Sequence, residues 1–351
     1  SKFSSAAYVS YGLIQCGVFQ NFDVGYQFGK LALRFLESSK IDLDARANTL
    51  LLYGGCIDHW VNSATNSLKY LKKAFTVGKE TGNFLYAAYA LVICSYIQFS
   101  KGDSLLEISQ KCKEHIDIID KIQQGASKIM IILIDKACNQ LMHEINFTFK
   151  DKDFDEDTDL EKLKEGDDGV PYHWFFIVKL QLFYMFYHHE KAHEMAVQAK
   201  KLKNNSLGLI QITDIYFYDA LNLCELVPKS SVLKKIKHRI TIKSNFNRLK
   251  KWAKSSPSNH EHKALLVKAE MNRLNNKPLK EALDSYKVAI HKALENNYTH
   301  HAALGYELMG KYLKQHKHYH KESMLYLEES VNLYQKWGAF EKVTHIKRFL
   351  N

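Results

Sequence analysis

One spacing of small residues recurs along this chain and constrains its fold more than any other feature. Gly12 is followed thirteen residues later by Gly25, and then by Gly29 and Ala32 on the same helix face. The same offsets return at Gly54, Ser67, Leu71 and Ala74, at Ala269, Ala282, Tyr286 and Ala289, and at Gly310, Ser323, Leu327 and Ser330. Small residues that face each other let two antiparallel helices approach closely, and repetition lets such hairpins stack. The spacing therefore predicts a helical solenoid.

The length of the repeat indicates which kind of solenoid to expect. Gly12 and Gly54 lie 42 residues apart, and Ala269 and Gly310 lie 41 apart. Tetratricopeptide repeats run about 34 residues and HEAT-type repeats about 40–47, so the spacing is tetratricopeptide-like but the helices are longer. The 351 residues include only four prolines and 16 glycines, which favours helices joined by short polar loops. We expect an all-α, right-handed α-α superhelix of about eight hairpins with a C-terminal capping helix.

The apolar rhythm divides the chain into helix pairs. Residues 1–149 should form N-terminal repeats, residues 150–170 an exposed acidic loop, and residues 171–351 further repeats of the same continuous solenoid. Pro171 can open a helix, and residues 255–258 should form a loop. The expected helices are 5–18, 22–38, 43–60, 63–80, 84–100, 103–123, 125–148, 171–188, 190–203, 207–225, 229–254, 260–274, 279–295, 298–316, 321–336 and 339–350.

Apolar content and cysteine usage indicate a cytoplasmic protein. No run of 18 or more uncharged apolar residues is present, so we expect no membrane span. The six cysteines form no C-x-x-C pair and lie mostly in apolar helical stretches, which is typical of reduced, buried thiols. The first residues already read as a helix, so we expect the chain to be a fragment of a longer protein.

The formal net charge of +11 is concentrated in two segments. Residues 226–260 contain ten lysines or arginines and no acid, whereas residues 151–168 contain ten acids and three lysines. The basic segment 229–254 is either a solvated helix face, neutralised by the acidic loop, or a surface for an acidic protein, anionic lipid or nucleic acid. No zinc finger or RNA-binding aromatic pair supports nucleic-acid binding. The candidate basic surface is Lys234, Lys235, Lys237, Arg239, Lys243, Arg248, Lys250, Lys251 and Lys254.

Two histidine groups have the spacing of metal ligands. His189, Glu190 and His193 form an H-E-x-x-H motif, in which two histidines on one helix bind zinc and the glutamate acts as base. The spacing of small residues predicts that His189 lies in a turn between two helices. This argues against a zinc hydrolase, because the motif needs both histidines on one helix. A second group, His316, His318 and His320 with His300 and His301 nearby in sequence, is expected to be a solvated loop. We expect no metal, no cofactor and no catalytic residues.

Aromatic residues on the first helices of the pairs suggest a binding groove. In tetratricopeptide arrays these helices line the concave surface, where aromatic and polar side chains can hold a peptide or a small ligand. The alternative is that the same residues fill the core between helices. The candidate groove residues are Tyr53, Asp58, His59, Trp60, Tyr86, Tyr89, Tyr96, Trp174, Phe183 and Tyr187.

Several segments resemble a known family, most specifically ALGYELMGKYLKQHKHYHKESMLYLEESVNLYQKWGAFEKV near the end, with CIDHW and FTVGKETGNFLYAAYA nearer the start. They look like the tetratricopeptide-like repeat region of large bacterial signalling proteins that combine a serine/threonine-kinase-like domain, a STAND-type ATPase domain and a sensor histidine kinase. The resemblance implies a non-catalytic sensing or protein-interaction solenoid that acts on adjoining domains, a protein or peptide partner, or a small ligand. The alternative is a stand-alone interaction protein that uses segment 229–254.

Overall fold

Helix follows helix throughout the computed structural model, which describes residues 4–37, 43–166 and 169–350. Within these ranges the chain forms seventeen α-helices and no β-strand. The helices are α1 (Ser4–Gly17), α2 (Phe22–Leu36), α3 (Leu43–Cys56), α4 (Ala64–Thr81), α5 (Phe84–Lys101), α6 (Leu105–Lys121), α7 (Gly125–Met142), α8 (Glu156–Glu165), α9 (Gly169–Met185), α10 (His189–Lys201), α11 (Ile212–Leu226), α12 (Val232–Ser255), α13 (Pro257–Leu274), α14 (Leu279–Glu295), α15 (Thr299–Lys314), α16 (His320–Trp337) and α17 (Phe340–Leu350). Neighbouring helices pack in pairs, which confirms the all-α helical-repeat superhelix.

The repeated small residues lie where the helices of each pair touch. A β-carbon added to Gly12 would lie 2.8 Å from the carbonyl oxygen of Gly25, and one added to Gly54 would lie 3.1 Å from that of Ser67. Near the other end of the chain, the Ser323 hydroxyl donates a hydrogen bond of 2.8 Å to the carbonyl oxygen of Gly310. The spacing therefore marks close helix–helix contact, as predicted.

The acidic segment departs from the expected loop. Residues 156–165 form the helix α8, whose N-cap residue Asp155 accepts a hydrogen bond from the Asp157 amide. Acidic side chains occupy the first turn of α8, where their negative charge interacts favourably with the positive end of the helix dipole and stabilises the helix. Other predicted boundaries also move. For example, α7 ends at Met142, and only Ser256 separates α12 from α13.

Repeats that are far apart in sequence touch each other, whereas the repeats of an open solenoid contact only their neighbours. The Trp60 indole donates to the Gly208 carbonyl oxygen at 2.9 Å. The Asn259 side chain accepts a hydrogen bond from the Ala64 amide at 2.9 Å and donates to the His59 carbonyl oxygen at 2.7 Å. We call this contact, between residues 56–64 and residues 207–208 and 252–260, the seam. It joins the first repeats to the late ones and closes the superhelix.

Closure places several helices inside the molecule. Every side chain of α9 from His173 to Met185 is buried, and α5, α11 and α15 are buried over most of their length. A helix that is apolar on all faces must pack on all sides, and here α5 meets α9, α11 and α16 across the interior. The Tyr96 ring on α5, for example, packs at a tilt against Trp174 of α9, with ring centroids 4.8 Å apart, and its hydroxyl donates to the Asp214 carboxylate at 3.2 Å.

Candidate functional site

The predicted groove residues lie mostly in the interior and do not line an open surface. Tyr86 and Tyr89 are half-buried near the start of α5, and Tyr187 is half-buried after α9. Contacts between distant helices bury Trp60 against Trp252 and Tyr96 against Trp174, whereas Tyr53 and Asp58 are buried by contacts between α3 and α4. The buried ones are Tyr53, Asp58, His59, Trp60, Tyr96, Trp174 and Phe183.

Asp58 shows what one of these buried candidates does. Its carboxylate is fully buried and accepts hydrogen bonds from the Tyr53 hydroxyl at 3.2 Å, the Asn62 amide at 2.8 Å and the Ser67 hydroxyl at 3.0 Å. The Asn66 amide contacts both of its oxygens. A buried carboxylate needs such partners because desolvation is costly. Asp58 therefore fixes the turn between α3 and α4 and leaves no acceptor for a ligand.

A pocket of about 370 Å³ opens at the seam, and we call it the seam pocket. Gly17 and Val18 at the end of α1 line one side, and Lys203 and Leu207 after α10 line the other. A β-carbon on Gly17 would lie 2.8 Å from the Gly208 amide nitrogen, so the two chain segments touch beside the pocket. This volume falls in the range of small-ligand sites.

Aromatic rings and basic side chains share the seam pocket. Trp60 and Trp252 lie 5.8 Å apart between ring centroids, and Tyr216 lies 5.4 Å from Trp252. The Arg248 guanidinium sits 5.1 Å from the Tyr216 ring centroid, a cation–π contact. Lys203 is exposed at the rim. The pocket thus offers apolar rings and positive charge, which suits a small anion with a planar or apolar body.

The thiol that lines the seam pocket is not activated. Burial raises the pKa of Cys16 to about 12, and the neighbouring Cys56 thiol adds to the shift. A thiol with so high a pKa holds its proton at neutral pH and is a poor nucleophile. The seam pocket therefore favours binding over covalent chemistry.

Sequence reasoning selected two of the residues around this pocket, Trp60 from the aromatic candidates and Arg248 from the basic ones. It did not bring them together, because both line the pocket only when α12 packs against the turn that follows α3. Trp252 is not among the candidates drawn from the sequence, and in the structure it lies on the buried side of α12. Gly208 has a φ of +78° and gave no signal in the sequence.

The basic segment forms α12, the longest of the described helices. Among the described residues, no ion pair involves a lysine or arginine of α12. Arg239 donates instead to the neutral Asn275 side chain at 2.6 Å. The acidic segment pairs with other lysines: Asp151 with Lys136, and Glu156 with Lys179. The described parts of the two segments therefore do not neutralise each other.

The H-E-x-x-H residues lie on one helix, which corrects the predicted turn. α10 begins at His189, so His189, Glu190 and His193 share its first two turns. The His189 Nδ1 lies 2.8 Å from the Asn222 Oδ1, and the His193 Nδ1 lies 3.7 Å from the Asp219 Oδ1. Both imidazoles thus face α11 and meet its polar side chains. No group of three or more metal-ligating side chains occurs in residues 4–37, 43–166 and 169–350.

The second histidine group divides in the structure. His318 is exposed in the turn before α16, as expected of a solvated loop, and His320 is exposed as the first residue of α16, while His316 is half-buried. His300 and His301 are instead buried, and His301 lies 2.9 Å from the Nε2 of His262. Proximity in sequence did not predict this separation, because His300 and His301 begin an inner helix while the other histidines follow it.

Comparison with known proteins gives one partial similarity. No family model matches the chain. Hybrid signal transduction histidine kinase G of Dictyostelium discoideum is 32% identical over 122 residues, which is 34% of this chain. The chain spans only about 4% of the length of that relative. This chain is therefore similar, over a third of its length, to a region of a signalling protein. In the described ranges, no helix is long and apolar enough to cross a membrane.

Proposed function

We propose that this chain is a non-catalytic regulatory solenoid of a larger cytoplasmic signalling protein, and that a small ligand in the seam pocket regulates it. The similarity to a signalling histidine kinase supports the context. The six cysteines are free and buried, which fits a reducing compartment. Adjoining domains of the same polypeptide, or a protein partner, would receive the signal.

One observation carries this proposal: the seam pocket is lined from both sides of the closure. Val18 belongs to the first repeat and Arg248 to α12, more than two hundred residues later. A ligand that touches both sides binds the closed superhelix better than an opened one. Such differential affinity shifts a conformational equilibrium, and the displaced helix ends would pass the change to neighbouring domains.

Ligand-dependent thermal stability tests the proposal. The probes are AMP, cyclic AMP and indole-3-acetate, which are small anions with planar bodies. We expect at least one of them to raise the Tm of the full chain, because binding to the folded state alone adds stability. Arg248→Met keeps the aliphatic stem and removes the charge, so it should abolish most of the shift.

Lys250→Met is the matched control, since Lys250 is an exposed cation of the same helix outside the pocket. It should leave the ligand-induced shift unchanged. If none of the three probes raises the Tm, or if the shift persists in Arg248→Met, the seam pocket does not bind this class of ligand.

A further inference from the structure

The first half of α12 carries an aliphatic stripe on its solvent side, which we call the α12 stripe. It consists of Val232, Leu233, Ile236 and Ile240, which are 73%, 81%, 54% and 66% exposed. At 100° per residue these four positions fall within one sector of about 100°, opposite the buried sector that contains Leu249. Amphipathic packing against the core explains the Leu249 side of the helix. It does not explain four aliphatic side chains in water on the other side.

Cations surround the α12 stripe. Exposed Lys237 and Lys243 lie along it, and Arg239 and half-buried Lys235 flank it on one side. Toward the C-terminal end the same face continues as Lys250, Lys251 and Lys254, all exposed. From residue 232 to residue 254 the face is about 33 Å long. It therefore presents aliphatic side chains at one end and positive charge around and beyond them, with no ion pair to the described acids.

We propose that this face binds the surface of a lipid bilayer that contains anionic lipids. A helix lying in the interface buries aliphatic side chains among the acyl chains and headgroups, while lysines and arginines meet the lipid phosphates and carboxylates. The long stems of Lys237 and Lys243 let their ammonium groups reach the headgroups while Leu233 and Ile236 insert. The binding is peripheral and does not depend on the seam pocket.

The shape and composition of the face favour a bilayer over other acidic surfaces. The large exposed fractions of Leu233 and Ile240 mean that no neighbouring element forms a wall beside them. They stand on a ridge, which a flat, deformable surface can accommodate. A nucleic acid would contact the cations but gain little from the aliphatic side chains, and the aromatic residues of α12 face the core or are half-buried.

Vesicle co-sedimentation of the full chain tests this proposal. The probes are phosphatidylcholine vesicles with and without about one third phosphatidylserine. We expect binding to the anionic vesicles, about tenfold weaker or undetectable binding to the neutral ones, and weakening as salt is raised. The variant Leu233→Ser with Ile240→Ser should reduce binding to anionic vesicles about tenfold, since two inserted side chains are lost. Both positions are exposed, so the fold should be unaffected.

The matched control is Leu106→Ser with Leu325→Ser, which replaces two exposed leucines, 68% and 53% exposed, on α6 and α16. It should bind anionic vesicles like the unmodified chain. Absence of binding to anionic vesicles, or an equal loss in the control, overturns the proposal. A single-stranded oligonucleotide serves as the competing probe. If it binds more tightly than the vesicles and Leu233→Ser with Ile240→Ser leaves its binding unchanged, the face is a nucleic-acid surface instead.

Discussion

At the scale of single residues, a hydrogen in place of a methyl group sets how closely two helices approach. Gly25 shows this most clearly, because a β-carbon there would lie 2.3 Å from the Cys16 sulfur and 2.8 Å from the Gly12 carbonyl oxygen. The carbonyl belongs to the backbone and cannot move without shifting α1. The hairpin of α1 and α2 therefore requires glycine at this position.

Gly25→Ala should destabilise the protein although alanine is the better helix former. The overpacking should cost about 1–3 kcal/mol, against a propensity gain of about 1 kcal/mol, so we expect a net loss on the order of 1 kcal/mol. Urea denaturation measures it as a lower midpoint at an unchanged slope. Gly125→Ala is the control, because nothing lies within 4 Å of an added β-carbon there. Equal stability of the two variants would contradict this account.

At the scale of elements, a buried ion pair fixes the last helix to the interior. Lys342 of α17 lies 3.0 Å from the Glu307 carboxylate of α15 and also donates to the Met185 carbonyl oxygen at the end of α9. Glu307 accepts further hydrogen bonds from the hydroxyls of Tyr187 at 2.5 Å and Tyr334 at 2.9 Å. Burial lowers the pKa of Lys342 to about 8, and Glu307 opposes that shift. One cation thus ties three helices together.

Lys342→Met should therefore cost about 3–5 kcal/mol, because it leaves the Glu307 charge buried without its partner. Adding Glu307→Gln removes that charge, keeps one oxygen that accepts from a tyrosine hydroxyl, and offers an amide donor to the oxygen of the other hydroxyl. The double variant should therefore be more stable than the single one. Chemical denaturation of the four forms of this cycle gives the coupling. Lys347→Met, an exposed position on the same helix, should change stability by less than about 0.5 kcal/mol. A double variant as unstable as the sum of the single variants would contradict the pairing.

Local signals explain why most elements could be predicted from the sequence. The period of small and apolar residues places α2, α4 and α14 within two residues of their observed bounds, since pairing depends on neighbours in the chain. α8 was missed because its charged residues lack an apolar period, and its stability comes from the cap at Asp155 and the charges of its first turn. The seam was missed because Asn259 meets Ala64 across 195 residues, and no periodicity encodes such a contact.

At the scale of the whole molecule, contact between the first and the late repeats buries helices that an open superhelix would leave exposed on its concave side. The same aromatic residues that predict a groove, such as Tyr96 and Trp174, pack against each other when the superhelix closes. The two surfaces for which we propose binding therefore lie at the seam and on the outer face of α12. An open solenoid binds partners on its concave side, whereas in this chain buried helices occupy that side.

The interior also holds several uncharged histidines. Six of them are buried: His59, His173, His260, His262, His300 and His301. Burial lowers the pKa of His59 to about 3 and that of His173 to about 4. It also lowers the pKa of the other four well below the usual range, and for His260 and His262 the Lys263 charge adds to the effect. These rings are neutral in the folded protein and become protonated when it unfolds below pH 6.5.

Acid should therefore open the closed superhelix. Below pH 6.5 the histidines of the unfolded chain bind protons, whereas the buried rings of the folded protein do not. The free energy of unfolding therefore decreases as the pH is lowered from 6.5 toward the folded-state pKa values of about 4 for His173 and about 3 for His59. Each ring should contribute about 1 kcal/mol of loss between pH 7.5 and pH 5.5. Urea midpoints at the two pH values measure the total, and His173→Gln, which removes one ring, should reduce the difference. His318→Gln, at an exposed position, should leave the difference unchanged. A midpoint that is the same at both pH values would mean that these histidines are not buried in an uncharged form in the folded protein.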